Sequence, residues 1–249
     1  MSTHHLAAEN LSKNFDGLLA VNCVNISFQT TKVHAIIGPN GAGKTTLINL
    51  LSGDLLPSLG SISYKDRNIA GMPAFAISQL GIGRSYQKTN IFPDFTCWQN
   101  CWLGAQSRLP TSLRFFKPAK GYEKVHQQTE EAIALCGLEN RVDTIASELS
   151  YGEQRQLEFS MMLATDPELL LLDEPLGGMG ISETQKMIEL IKRLACDRTI
   201  ILIEHDMDAV FALADTLTVM VNGKVLATGS PNEIRNQQDV QDAYLGTEK

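Results

Sequence analysis

The chain of 249 residues lacks any run of about 18 apolar residues, the length that a membrane-spanning helix needs. Its opening stretch, MSTHHLAAENLSKNF, has no apolar core of the kind that marks a secretory leader. Cysteine is sparse and scattered: Cys23, Cys97, Cys101, Cys136 and Cys196. Cys97 and Cys101 stand about one helical turn apart, but no histidine or second cysteine pair beside them completes a zinc set. Buried or idle thiols in a reducing cytoplasm are expected instead. Basic residues are in deficit, 21 Lys and Arg against 28 Asp and Glu, a formal charge of −7. That balance disfavours a protein that coats nucleic acid, whose affinity would come from many phosphate contacts. It leaves a nucleotide site open, because a few backbone N–H groups and one lysine can hold phosphates. Repeats and low-complexity tracts are missing too, and with 43% apolar and 20% charged residues the composition is that of an ordinary globular protein.

What is present is an α/β rhythm. The segments 17–29, 32–37, 61–64, 82–86, 169–172 and 199–203 read as strands, and 43–51, 73–80 and 183–194 read as helices. Runs such as Leu169–Leu172 are apolar throughout, the mark of a parallel sheet covered on both faces. Between Phe95 and Leu163 the strands disappear and helical periodicity takes over, interrupted by an irregular stretch at 107–121. This predicts a helical insertion in an α/β frame. Asn222-Gly223, between TLTVMV and KVLAT, supplies the two positive-φ positions of a type I′ hairpin.

Gly38-Pro39-Asn40-Gly41-Ala42-Gly43-Lys44-Thr45 fits G-x-x-x-x-G-K-[ST], after a strand and opening a helix. Gly41 and Gly43 let the backbone wrap a phosphate and aim N–H groups inward, and the helix adds its positive end. Lys44 supplies a charge for the β and γ phosphates, Thr45 a hydroxyl for Mg²⁺, and Thr46 completes the loop. The run Leu169–Leu172 ends in Asp173-Glu174-Pro175. A buried strand ending this way places Asp173 to hold Mg²⁺ and Glu174 to polarise an attacking water.

With these two motifs stand Arg84-Ser-Tyr-Gln87, Leu149-Ser150-Tyr151-Gly152-Glu153-Gln154, Ile203-Glu204-His205-Asp206 and Phe15 in KNFDGLLAV. Six motifs in this order, from 15 to 205, resemble the ATP-binding-cassette family. The resemblance implies a P-loop NTPase core with a mainly parallel sheet, an antiparallel β subdomain and an inserted helical subdomain. Residues 1–93 and 165–249 would form the core with its tail, and residues 94–164 the helical part of a single domain. It implies an ATPase using ATP and Mg²⁺, with Phe15 stacking on adenine, Gln87 reaching Mg²⁺ or the water, and His205 reaching the γ-phosphate. Ser150, Gly152 and Gln154 would contact ATP held by a second cassette subunit, identical or not. The signature departs from the commonest form at Tyr151 and Glu153. The segment Leu176–Gly180 lacks an Asp that many relatives carry, which leaves cross-subunit coupling open.

The signature type, ILIEHDMDAVFALAD and the tail GSPNEIRNQQDVQDAYLG resemble ATPase subunits of branched-chain amino-acid importers. Urea or amide importers and a lipopolysaccharide-export ATPase are the near alternatives. Transport without a spanning helix implies separate permease subunits, a peripheral place on the cytoplasmic side of the inner membrane and, indirectly, a solute-binding protein. Ile91, Phe92, Pro93, Phe95 and Trp98 would form either the docking surface or the core of the helical part. A regulatory cassette without transport would carry coiled-coil inserts or tandem cassettes, and a P-loop kinase would not account for Ser150–Gln154.

Overall fold

A computed structural model describes residues 4–87, 89–109 and 122–245. Strands β1 (His4–Phe15) and β2 (Leu18–Gln29) form a long hairpin, and β3 (Val33–Ile37) leads into helix α1 (Lys44–Leu51). After β4 (Leu59–Tyr64), β5 (Arg67–Asn68) and α2 (Ala74–Gln79), β6 (Ile82–Arg84) precedes three helices, α3 (Cys97–Gln106), α4 (Glu123–Leu135) and α5 (Tyr151–Leu163). The α/β alternation resumes with β7 (Leu169–Asp173), α6 (Ile181–Leu194), β8 (Thr199–Ile203) and α7 (Met207–Leu213). A closing hairpin, β9 (Thr216–Val221) and β10 (Lys224–Gly229), is followed by α8 (Pro231–Arg235) and α9 (Gln238–Leu245). Among the described residues no helix is long and apolar enough to cross a membrane.

The larger sheet has the order β10-β9-β3-β8-β7-β6, parallel throughout except for β10. Its central strands β3, β7 and β8 are buried at every position. In β7, Leu169 and Leu171 face α1 and the second sheet, while Leu170 and Leu172 face α6. Two covered faces explain why the alternation vanishes from the sequence. The second sheet, β2-β1-β4-β5, is antiparallel. Its strand β1 carries no sequence signal, because its register against β2 shifts at four points and Asn10 adopts φ 49°. Each irregularity slips the two-residue period that marks a half-buried strand. The type I′ expectation holds, with Asn222 at φ 49° and Gly223 at 75°.

Of the three helices between β6 and β7, α3 and α5 start from reciprocal side-chain caps. The Thr96 side chain accepts from the Gln99 N–H at 3.2 Å, and Gln99 accepts in return from the Thr96 N–H at 2.9 Å. Cys97, Cys101, Ile133, Leu138 and Leu157 form a small core of their own, whereas Val125, Ala132 and Phe159 join the face of the main sheet. The aromatic segment divides between the core of the helical part and the surface. Ile91 and Trp98 pack on the helical core, while Phe92 and Phe95 stand exposed and stacked, 5.4 Å apart. Cys97, Cys101 and Cys136 are buried, and burial pushes the Cys136 thiol up to about 12. Such thiols are inert. The irregular stretch expected at 107–121 lies largely outside the described residues.

Gly104 marks where α3 crosses α5: a Cβ there would lie 2.3 Å from the Met161 carbonyl oxygen. Gly104→Ala gains about 1 kcal/mol of helix propensity yet should cost about 1–3 kcal/mol through this overlap. Chemical denaturation reads the balance, and a variant as stable as the parent would show that the crossing is not tight.

Candidate functional site

The neighbouring parallel strands β3, β8, β7 and β6 all end at the same edge of the sheet. Their C-terminal ends deliver, in that spatial order, the loop 38–43, Glu204-His205, Asp173-Glu174 and Ser85–Gln87. Ligands of parallel α/β sheets bind outside these carboxyl ends.

The loop before α1 needs its glycines. Gly43 has φ 96°, and a Cβ on it would sit 2.2 Å from the Ala20 carbonyl oxygen of β2. The Asn222-Gly223 turn lies against the same loop: the Gly223 N–H donates to the Ala42 carbonyl at 3.0 Å, and the Asn22 N–H donates to the Gly223 carbonyl at 2.8 Å. The turn therefore buttresses the loop as well as closing a hairpin, a role the dipeptide signal alone does not disclose. Lys44 is buried and donates to the carbonyls of Gly38 at 2.7 Å and Pro39 at 3.0 Å. Burial lowers its pKa, against the opposing pull of Glu174 and Asp173. Asn40 and Gly41 are exposed, Pro39, Thr45 and Thr46 half-buried, and Gly38 and Ala42 buried.

Asp173 is 1% exposed, and its Oδ1 has no hydrogen-bond partner among the described residues. Burial raises its pKa, with Arg84 the largest opposing influence. Helix α1 packs against β7, so the half-buried Thr45 at its start belongs to the same region. An unsatisfied carboxylate oxygen with a second carboxylate, Glu174, next to it offers the hard oxygen donors that suit Mg²⁺. Glu174 takes a left-handed backbone, φ 51°, uncommon for a side chain with a Cβ. Its Oε1 lies 2.5 Å from the His205 Nε2. Glu204 is buried beside them and accepts from the N–H groups of Leu176 at 2.8 Å and His205 at 3.1 Å. It thereby holds the turn after Glu174, a role the sequence analysis did not assign. A lone acid after the apolar run of β8 was the available signal. Asp206 caps α7 by accepting from the Asp208 and Ala209 N–H groups.

The other expected residues stand apart. Phe15, 41% exposed at the end of β1, has the Lys13 ammonium 5.1 Å from its ring centre. Gln87 is exposed three residues beyond β6. Ser150 caps α5 reciprocally with Glu153, which also pairs with Arg141 at 2.9 Å. Glu153, one departure from the commonest signature, thus serves the local cap. Tyr151, the other, lies over Gly178, where a Cβ would meet the ring at 2.8 Å. Gly152 is similarly filled by the Glu183 carboxylate. Gln154 turns back to the carbonyls of Ala146 and Leu149, both at 3.3 Å.

A profile describing the ABC transporter family matches residues 21–177. A second, describing a branched-chain amino acid ATP-binding cassette transporter, matches residues 224–249. The chain is similar to the high-affinity branched-chain amino acid transport ATP-binding protein LivG of Salmonella typhimurium, 38% identical with 99% of each chain covered. A solved nucleotide-free ATP-binding cassette from an ABC transporter superposes with a TM-score of 0.85 at 29% identity, covering 97% of this chain and 98% of that one. An ATP-binding cassette in its ADP conformation gives 0.85 at 27% identity, covering 98% and 100%.

The orphaned carboxylate predicts a stability effect with a definite pH sign. The folded-state pKa of Asp173 is raised above its ordinary 3.8, so its penalty on folding sets in as pH rises through the unfolded value and is complete above the folded one. Asp173→Asn should therefore stabilise the ligand-free protein at pH 7 by about 1 kcal/mol, a gain that fades on acidification through that window. Paired melting curves at pH 7 and pH 4 check this, and a variant less stable at pH 7 would contradict it.

Proposed function

The chain belongs to the ABC transporter family as one of its ATP-hydrolysing subunits, and from that premise we propose that it energises the import of branched-chain amino acids. The observation that carries the ATPase site is the convergence of Lys44, Asp173, Glu174 and His205 on one sheet edge, with Glu174 and His205 in contact. The profile matched by the tail, 224–249, and the likeness to LivG favour amino acids over urea, amides or lipopolysaccharide.

In this reading the loop 38–43 cradles the phosphates of ATP with its N–H groups, and Phe15 stacks on the adenine. Lys44 leaves the carbonyls of Gly38 and Pro39 to meet the β and γ phosphates. Thr45, Asp173 and Gln87 would hold Mg²⁺, which when bound neutralises charge developing on the phosphates. Glu174 polarises the attacking water, and His205, already against Glu174, contacts the γ-phosphate. A second cassette subunit presents its Ser150 and the first N–H groups of its α5 to the same ATP. Because Ser150 Oγ already accepts from Glu153, its proton is the part left to donate. Gln154, bonded to its own loop, acts from behind by shaping that loop.

The helical part, residues 94–164, moves against the ATP core as ATP closes the pair of subunits. Permease subunits dock in the groove between the two, where Ala74, Ile77, Tyr86, Asn90, Gly104 and Met161 line the walls, and the exposed Phe92 and Phe95 follow Asn90 in sequence. A solute-binding protein delivers the amino acid on the far side of the membrane. The subunit itself sits peripherally on the cytoplasmic face.

Glu174→Gln should keep ATP binding while phosphate release falls about 10²–10⁴-fold, with an ATP-trapped dimer on size-exclusion chromatography. Normal turnover would remove Glu174 from this role. Leucine uptake by cells carrying the permeases should fail with the same variant. Uptake that persists would remove branched-chain amino acids as the cargo.

A further inference from the structure

Arg155, five residues after Ser150 on α5, is among the largest fully buried side chains of the described residues, at 1% exposure. Its Nη1 donates to the Tyr86 carbonyl at 2.6 Å and to Glu158 Oε2 at 2.9 Å, and its Nη2 donates to the Glu174 carbonyl at 3.0 Å. The other oxygen of Glu158 accepts from the Tyr86 N–H at 3.1 Å. One ion pair on one helix thus grips both main-chain groups of the residue before Gln87. The same guanidinium grips the main chain of Glu174, whose N–H is bonded to the Ile203 carbonyl at 2.9 Å. The peptide groups on either side of the left-handed Glu174 backbone are both fixed.

A buried ion pair is a poor device for stability, because desolvation offsets most of its attraction and apolar replacements of similar volume are often equally stable. The contacts of this pair point to a different use. We propose that Arg155 and Glu158 are positioning residues that tie α5 to Gln87 and to Glu174, so that the water-polarising carboxylate is aligned only while α5 is docked. When a partner's ATP engages Ser150 at the head of α5, the position of that helix is passed through Arg155 and Glu158 to the main chain of Tyr86 and Glu174. Neither side chain touches ATP in this scheme; both act through the main chain of others. The inference rests on the ATPase reading above and on Glu174 as the base.

The test is steady-state ATP hydrolysis by the full chain carrying Arg155→Met with Glu158→Met, and separately Arg155→Lys, with the folded fraction measured by near-UV circular dichroism. The double variant should remain folded with KM for ATP within about threefold of the parent, while kcat falls about 10²-fold, the cost of misplacing a reacting group. Arg155→Lys keeps the charge but cannot span two carbonyls, and should lose about tenfold in kcat at unchanged KM. A kcat within threefold of the parent in either folded variant, or a loss that merely tracks the unfolded fraction, overturns the clamp. If the double variant does not fold, Arg155→Lys alone decides by the same criterion. Glu174→Gln, assayed alongside, reads the base assignment separately: hydrolysis by it overturns that assignment, whereas loss of hydrolysis there with parental kcat in the clamp variants overturns the clamp alone.

Discussion

The whole arrangement depends on four parallel strands that must be buried on both faces. Because β3, β8, β7 and β6 are covered by α1 and the antiparallel sheet on one side and by α6 and the helical insertion on the other, the polar side chains of the site stand where these strands stop. The chemical groups of the site therefore gather at one edge: a lysine, two carboxylates, a buried glutamate and a histidine at or soon after the ends of three strands, β3, β7 and β8. Burial, the same force that builds the sheet, also leaves Asp173 Oδ1 without a partner among the described residues and lowers the pKa of Lys44. Core formation and site formation are one event.

That edge carries unresolved polar demands. Lys44 satisfies itself on its own loop, Asp173 has an orphaned oxygen, and Glu174 holds a backbone conformation that costs of order 1–3 kcal/mol for residues of its kind. Each of these is met by a phosphate, a cation or a water in the proposed role. The surroundings hold the site in this state. Glu204 fixes the turn after Glu174, the Gly223 turn props the phosphate loop from outside, and Arg155 reaches in from the helical insertion.

The motif chemistry was legible because it is local. A glycine-rich turn between strand and helix, an acidic strand end and a Ser–Glu cap each announce themselves in a few consecutive residues. The parallel strands were legible for the opposite reason, since uninterrupted apolar runs such as Leu169–Leu172 have no other economical place. Strand β1 was not legible: its bulges at Ala8–Leu11 and the left-handed Asn10 erase the alternation a strand reading relies on. Phe15, Phe92 and Phe95 proved exposed while Trp98 and Ile91 packed inward, a division that needs the helix orientation and not just the residue type.

By itself, the sequence determined the chemical repertoire, the order of the motifs and the class of fold, because these follow from backbone freedom, charge and hydrophobic pattern over short windows. Only the tertiary structure decided which groups meet. His205 faces Glu174 across 31 positions of sequence, Gln154 turns to its own loop instead of outward, and an Asn-Gly hairpin becomes a prop for a loop some 180 residues earlier. Arg155 joins three segments that no spacing connects. Pattern reports what a residue can do; long-range packing selects the neighbour with which it does it.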